Sequence, residues 1–211
     1  MSIHKRKPSD PTVHGSRGRL LDEAEARFAA DGFHGAALGA IAGACGLGNA
    51  GLLHHFPSKA KLYLAVLDRL AAELEQRLAS GLGAATDPAA RVEAALSAQL
   101  AWTVERPQAA RLVLRELLDN LGRVEQARHL PLVTYVETMT GVIEQGQRAG
   151  CLREGAPLVL LTQYLGALAY ALAARPTFAR MQPGTRLLDD EAAWIAAVAI
   201  DAGAALKRGR P

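Results

Sequence analysis

Apolar residues recur along this chain with the spacing of amphipathic helices. Within residues 17–31, Leu21, Ala24 and Phe28 return every three or four positions, which places them on one face of a helix. Similar spacing continues through residues 59–80. No segment alternates convincingly between apolar and polar residues as a half-buried strand does, and no repeat has a fixed period. The pattern therefore predicts an all-α protein.

Proline and glycine divide the chain into about nine predicted helices. Gly32 should end the first helix, and the glycines of residues 81–83 should end the fourth. Pro131 should kink the seventh helix or mark its true start, and Pro176 should end the eighth. The predicted helices cover residues 17–31, 38–45, 49–56, 59–80, 88–104, 108–120, 124–149, 157–174 and 192–206.

The stretch 38–61 predicts two short helices joined by a tight turn, followed by the start of a longer helix. Gly46 stands where the first short helix would end, because glycine enters the left-handed region at low cost. The second short helix is expected to bury Leu52, Leu53 and Phe56. Two short helices with this connection predict a helix-turn-helix, whose second helix enters the major groove of DNA.

The residues from Arg17 to Leu70 carry a family resemblance. The hexad HHFPSK follows the motif IAxxxG at a fixed distance, which is a specific signal. The segment resembles the amino-terminal domain of the tetracycline-repressor (TetR) family of transcriptional regulators. That resemblance implies a three-helix DNA-binding domain followed by a helical domain for ligand binding and dimerisation. The matching residues are Leu20, Leu21, Ala24, Phe28, Gly32, Phe33, Leu38, Ile41, Ala42, Gly46, Leu47 and residues 52–59.

The chain departs from that family at positions that usually contact DNA. Ala36 and Ala37 stand where a threonine or serine precedes the second helix, Gly48 replaces a serine at the start of the recognition helix, and Leu53 replaces a tyrosine. Losing a threonine or serine cap costs about 1 kcal/mol. Two functions therefore stay open: a ligand-responsive repressor that binds a palindromic operator as a dimer, and a TetR-like interaction or ligand-binding protein with weakened or lost specific DNA binding.

Candidate DNA contacts come from the recognition helix and from the resemblance. Asn49 begins the recognition helix, where side chains meet base edges, and an asparagine can pair with adenine. The resemblance implies that His54, His55, Lys59 and Lys61 lie where the family touches phosphates. The predicted set is Arg17, Arg19, Asn49, His54, His55, Lys59 and Lys61.

The charge distribution supports a DNA-binding head. Residues 1–64 hold 8 Lys and Arg against 5 Asp and Glu, whereas residues 65–211 hold 16 of each sign. The whole excess of +3 thus accompanies the helix-turn-helix. We predict a disordered basic arm over residues 1–16, a DNA-binding domain over residues 17–64 and an effector-binding and dimerisation domain over residues 65–211. The arm either tracks DNA or only solubilises the chain.

The last two long helices are rich in small residues and apolar nearly all round. A surface helix cannot have that composition, so both helices need cover on two sides. A second copy supplies it most simply, through a four-helix bundle with Ala169 and Ala196 at a close-packed seam. The alternative is a helix pair buried within one chain. The resemblance implies the same homodimer.

The resemblance also implies an effector site, because in this family a small ligand enters a cavity among the middle helices and tilts the two DNA-binding heads. Aromatic side chains with polar tips suit a small, mostly apolar effector. Ordinary core packing is the alternative for each of these residues. The candidate lining is Trp102, Tyr135, Met139, Gln163, Tyr164 and Tyr170.

Several other classes of protein are disfavoured. The sequence holds no GxSxG, phosphate-cradling glycine loop or HExxH, so we predict neither an enzyme nor a cofactor. Adjacent histidines such as His54 and His55 point about 100° apart on a helix, which disfavours a metal site. The longest apolar run, residues 192–206, is too short for a membrane span. With no signal peptide and with Cys45 and Cys151 expected to be buried thiols, we predict a cytoplasmic protein.

Overall fold

The computed structural model describes residues 15–119 and 131–207. Within these residues the chain forms nine α-helices and no strand, which confirms the all-α prediction. The chain divides into two compact units, residues 1–63 and 64–211. Most of the predicted basic arm falls on residues 1–14, outside the described residues. The helices are α1 (Ser16–Gly35), α2 (Leu38–Ala44), α3 (Asn49–His55), α4 (Lys59–Ala84), α5 (Pro88–Glu105), α6 (Pro107–Asp119), α7 (Val133–Arg148), α8 (Pro157–Met181) and α9 (Glu191–Leu206), with a 3-10 helix at Arg186–Leu188.

Apolar side chains from the predicted helix faces form the core of the first unit. Leu20, Phe28, Ile41 and Leu52 have no exposed surface. The edge of the Phe28 ring meets the Tyr63 ring, with 4.8 Å between the centroids. The helical pattern thus identified most of this core correctly.

Gly32 breaks the helical conformation of α1, as predicted. Its φ of 72° and ψ of 177° lie outside the helical region, so the residues up to Gly35 form a separate last turn. The first helix therefore has the predicted end at residue 31, followed by a short extension.

Leu53 corrects the prediction for α3. It was expected to be buried, but 43% of its surface is exposed, whereas Leu52 is fully buried and Phe56 is 3% exposed. Neighbouring residues on a helix point about 100° apart, and the core here covers the Leu52 side of α3 and leaves Leu53 partly exposed.

Helix α4 continues through the glycines at residues 81–83, where a break was predicted. It ends at Ala84. A glycine inside a helix costs about 1 kcal/mol, but burying a leucine contributes about 1.5–3 kcal/mol. Leu78 and Leu82 are both buried, so packing outweighs the glycine penalty. Asp87 then begins α5, because its carboxylate accepts a hydrogen bond of 2.9 Å from the Ala90 N–H.

Within the described residues, Pro131 comes just before the start of a helix, which is one of its two predicted roles, whereas Pro176 does not end a helix as predicted. Within the described residues, α7 begins at Val133, just after Pro131; the predicted start at residue 124 lies outside the described residues. Helix α8 runs through Pro176 to Met181. A proline removes one hydrogen bond, here to the Leu172 carbonyl. The Phe178 ring meets the Trp194 ring at 6.4 Å, which holds the last turns of α8 against α9.

Helix α8 is long and apolar enough to cross a membrane by length and composition alone. This corrects the prediction that no segment reaches that length. The core helix of a soluble domain can have the same composition, so the signal is weak. Leu160 and Leu172 are buried, and the Tyr164 hydroxyl donates a 2.9 Å hydrogen bond to the Leu96 carbonyl of α5. Helix α8 is therefore built into the helical core.

Gly146 on α7 makes a close approach that yields a stability prediction. A Cβ at this position would lie 2.8 Å from Val92 Cγ2 on α5 and 3.0 Å from Leu152 Cδ1. We expect Gly146→Ala to lower the free energy of unfolding by about 1–2 kcal/mol, because overpacking outweighs the gain in helix propensity. Urea unfolding measures this change.

The matched control is Gly141→Ala on the same helix. A Cβ there would have nothing in the described part of the chain within 4 Å. The substitution should raise the free energy of unfolding by up to about 1 kcal/mol, since alanine favours the helix. Equal effects of the two substitutions would contradict the close approach at Gly146.

Candidate functional site

The turn between α2 and α3 has the geometry of a helix end closed by glycine. Gly46 has φ of 70°, in the left-handed region. The Leu47 N–H donates to the Ala42 carbonyl at 2.9 Å, and the Gly46 N–H donates to the Gly43 carbonyl at 3.0 Å. These two bonds form a Schellman motif, which satisfies carbonyls at the end of α2 and turns the chain sharply into α3.

Helix α3 is held by one face and exposed on the other. Leu52 is buried, whereas Asn49 and His54 are exposed and His55 is half-buried. Among the described residues no side chain caps α2 at Ala37 or α3 at Gly48. A Cβ at Gly39 would lie 3.5 Å from the Asn49 Oδ1, so the asparagine side chain lies beside α2.

The predicted cations of the first unit fall into two groups. Arg19 and Lys61 are exposed on the surface. Arg17 places its guanidinium 4.9 Å from the centre of the Phe56 ring, directly after α3. Lys59 donates from Nζ to the His34 carbonyl at 3.0 Å and lies 5.2 Å from the centre of the Phe33 ring. The structure therefore holds Arg17 and Lys59 in place, which sequence reasoning did not foresee.

Ser58 forms the predicted start of α4. Its hydroxyl accepts a 3.2 Å hydrogen bond from the Lys61 N–H. Lys59 is in the first helical turn, where backbone N–H groups and the helix dipole favour an anion. The hydroxyl thus fixes the backbone on which two of the predicted phosphate contacts lie.

A second candidate site is a partly open cavity of about 190 Å³ lined by residues of α4 to α8. Its wall is mostly apolar, with a few polar groups on α5 and α7. The described residues that line it are Leu74, Gln99, Trp102, Thr103, Ala110, Val113, Leu114, Leu117, Leu132, Tyr135, Val136, Leu165, Leu168, Ala169 and Leu172.

Trp102 and Tyr135 are the two predicted ligand residues in this wall. Met139 is buried in the core but is not among the described lining residues. Gln163 is exposed and bonded to Arg153 at 2.5 Å.

The other two candidate ligand residues also lie away from the cavity. The Tyr164 hydroxyl is bonded to the Leu96 carbonyl, and 65% of the Tyr170 surface is exposed. The structure therefore brings together two of the six candidates.

Sequence reasoning missed the polar pair Gln99 and Thr103. The Tyr135 hydroxyl donates to Gln99 Oε1, and Gln99 Nε2 donates to Thr103 Oγ1 at 3.1 Å. The Thr103 hydroxyl donates in turn to the Gln99 carbonyl at 2.9 Å. Burial raises the pKa of Tyr135 above its usual range, so the phenol stays a donor. The sequence did contain a signal for this pair, because two polar residues four positions apart in an apolar helix lie on the same face and can bond to each other.

The thiols and possible metal ligands of the described residues form no further site. Cys45 and Cys151 are free and half-buried. Burial raises the pKa of the Cys45 thiol, and the nearby Glu23 carboxylate adds to this effect. Over residues 15–119 and 131–207, no three His, Cys, Asp or Glu side chains are grouped to hold a metal ion.

The amino-terminal unit matches a known family. Residues 20–66 match the family described as bacterial regulatory proteins, tetR family. The HTH-type transcriptional activator FasR of Mycolicibacterium smegmatis is 36% identical over 97 residues, which are 46% of this chain and 44% of FasR. The chain spans about half the length of the curated relatives it matches.

Two solved structures share the fold over most of the chain. The fatty acid degradation regulator FadR from Bacillus halodurans has a TM-score of 0.68 and 16% identity, covering 93% of this chain and 96% of FadR. AibR, solved in complex with isovaleryl coenzyme A and operator DNA, has a TM-score of 0.65 and 20% identity. The match covers 88% of this chain and 97% of AibR. Such identities show the fold alone. The family match itself covers residues 20–66, so the helix-turn-helix segment is the part of this chain that resembles the tetR family of bacterial regulatory proteins.

Proposed function

We propose that the protein is a ligand-responsive transcriptional repressor that binds a palindromic operator as a homodimer. The observation that carries this proposal is the helix-turn-helix, with its glycine-closed turn and an α3 that is anchored by Leu52 and otherwise largely exposed. Such a helix can enter the major groove, and a dimer presents two of them to two half-sites. As a protein that binds chromosomal operators, it works in the bacterial cytoplasm.

In this proposal, different residues contact the bases and the phosphates of the DNA. Asn49, at the exposed start of α3, reads a base edge. His54, His55, Lys59 and Lys61 contact phosphates. Arg17 and Arg19 add further phosphate contacts from the first turn of α1. Phosphate contacts position the protein, whereas base contacts specify the sequence.

A second candidate function is favoured by the missing caps of α2 and α3. Ala37 and Gly48 offer no side-chain oxygen to a backbone N–H or a phosphate. Few polar groups in the helix-turn-helix mean few hydrogen bonds to DNA. If specific DNA binding is lost for this reason, the chain is instead an interaction or ligand-binding protein. Titrating purified protein with labelled genomic fragments and sequencing those that bind separates the two functions, because only a repressor selects a shared palindrome.

The effector site of the proposal is the cavity lined by Trp102 and Tyr135. Its apolar wall and few polar groups suit a small, mostly apolar molecule. Helix α4 carries Lys59 in its first turn and Leu74 in the cavity wall. A ligand that favours one position of α4 thereby changes the DNA affinity, since a ligand shifts a conformational equilibrium by its differential affinity.

The dimer of the proposal forms through α8 and α9. Several large apolar side chains of these helices are exposed, including Leu158 at 58%, Tyr170 at 65% and Ile200 at 67%. An apolar surface of this kind is typical of a subunit interface. Ala169, which the sequence suggested for the seam, lines the cavity instead, so it is a poor probe of the interface.

The DNA contacts are tested by two alanine substitutions. We expect Asn49→Ala to relax sequence preference, since each bidentate base contact gives about 1–3 kcal/mol of discrimination. Lys59→Ala should weaken binding to all DNA sequences about equally. It should also reduce the magnitude of the slope of log affinity against log salt by about 0.9 per subunit. Binding titrations at several salt concentrations measure both effects.

The matched control for Lys59→Ala is Lys207→Ala, which removes the same charge in the second unit. Lys207 pairs with Glu93 at 2.5 Å, away from the helix-turn-helix in sequence. It should leave DNA affinity unchanged. An unchanged affinity for Lys59→Ala at low salt would show that Lys59 is not a phosphate contact.

The basic arm is tested by deletion of residues 1–8. This removes Lys5, Arg6 and Lys7. We expect both a lower affinity and a shallower salt dependence, because each phosphate contact contributes about 0.9 to the slope. A variant with alanine at only these three positions should behave like the deletion. A steep preference for one operator that survives high salt without the arm would mean that α3 makes base contacts beyond Asn49.

The dimer is tested by Ile200→Asp. A charge buried in an apolar interface without a partner costs several kcal/mol, so the variant should sediment as a folded monomer at micromolar concentration. The matched control is Leu118→Asp on α6, where the leucine is 70% exposed; it should remain a dimer. Sedimentation of the wild-type protein as a monomer would refute the interface.

A further inference from the structure

Trp102 has a buried hydrogen-bond donor that no group in the described part of the chain pairs with. Only 2% of its surface is exposed, and its Nε1 has no hydrogen-bond acceptor among the described residues. Buried tryptophans usually find one. The second tryptophan, Trp194, follows this rule, since its Nε1 donates to the Ala171 carbonyl at 2.9 Å.

The polar neighbours of Trp102 in the cavity wall are bonded to one another. Gln99 Oε1 accepts from the Tyr135 hydroxyl, and Thr103 Oγ1 accepts from Gln99 Nε2. Three of the four polar side chains in the described wall thus form one network, while the Trp102 N–H stands outside it. Gln99 Nε2 also carries a second hydrogen. The cavity wall therefore includes a residue whose donor is engaged by no described group.

The rest of the wall limits the charge and size of that molecule. None of the described lining residues carries a charge at neutral pH. An ionised ligand group would lose hydration there and meet no opposite charge among the described lining residues, which is strongly unfavourable. The volume is about 190 Å³, whereas an engineered apolar cavity of about 150 Å³ binds benzene. The cavity thus fits a body slightly larger than a benzene ring.

We infer that this cavity takes a small, neutral, mostly apolar molecule with one carbonyl or ether oxygen, which accepts a hydrogen bond from Trp102 Nε1. The inference rests on the proposed function only in treating the cavity as the effector site. It makes Trp102 the residue that selects an oxygen-bearing ligand over a hydrocarbon of the same shape, because only the oxygen pairs a donor that is unpaired in the ligand-free protein.

The test uses cyclohexanone and methylenecyclohexane, which differ only in C=O against C=CH₂, and cyclohexanecarboxylate as the charged analogue. The full-length protein, with ¹⁵N-labelled tryptophan and no DNA, is titrated with each. Cyclohexanone should move the Trp102 indole proton signal downfield, as hydrogen bonding does, and leave the Trp194 signal in place. Methylenecyclohexane should cause no downfield movement, and cyclohexanecarboxylate should not bind.

Two substitutions assign the signals and measure the hydrogen bond. Trp102→Phe should weaken cyclohexanone binding about 3- to 10-fold, while changing methylenecyclohexane binding less than about 2-fold. For each probe, the affinity of the wild-type protein is divided by that of Trp102→Phe. Comparing these two ratios removes the difference in hydrophobicity between the probes. Trp194→Phe should leave both affinities unchanged. If Trp102→Phe fails to fold, the wild-type indole signal still decides the result.

Three results would overturn the inference. These are an unmoved Trp102 signal on cyclohexanone binding, equal weakening of both probes by Trp102→Phe, and no binding of cyclohexanone up to its solubility limit. Each leaves the repressor proposal standing if the protein still selects operator DNA. Conversely, a protein that selects no operator DNA would refute the repressor proposal, but a downfield shift of the Trp102 indole signal would still support the inference about the cavity.

Discussion

The amino-terminal unit depends on burying one set of apolar side chains, because its short helices cannot form alone. Helices α2 and α3 have seven residues each, well below the length of about 12–15 residues at which isolated helices become even marginally stable. Neither has a side-chain cap among the described residues. Burial of Ile41, Leu52 and Phe56 supplies the missing free energy. The surface that would face DNA therefore exists only as part of the folded unit.

In the second unit, by contrast, core packing is incomplete at the cavity. There the core leaves apolar space unfilled and retains a polar network, Tyr135, Gln99 and Thr103, that a well-packed core would not need. An unfilled cavity reduces stability, and so does a buried Trp102 donor that no described group pairs with. Natural proteins retain such features mainly at functional sites. The two kinds of site thus differ: one uses core packing to present a surface, and the other interrupts core packing to admit a molecule.

The sequence predicted the elements whose ends have a local chemical cause. Gly46, Ser58 and Asp87 each act through backbone conformation or a cap, and each marks a helix end as expected. Tertiary packing decided the rest, as in α4, which continues past residues 81–83. In the apolar helix α8, periodicity could not separate the buried Tyr164 from the exposed Tyr170. Two of the four polar side chains in the described cavity wall were missed, because a hydrogen-bonded pair such as Gln99 and Thr103 resembles ordinary polar residues until its burial is known.

The Lys59 side chain is already ordered before any partner arrives. Its ammonium is bonded to the His34 carbonyl and lies over the Phe33 ring, so its four-carbon stem has few conformations left to lose. Immobilising a flexible side chain on binding costs about 0.5–1.5 kcal/mol. A phosphate that meets Lys59 avoids most of that entropy loss, whereas one that meets the exposed Lys61 incurs it in full. The two lysines, equal in charge and two positions apart, would therefore bind phosphate with different entropies.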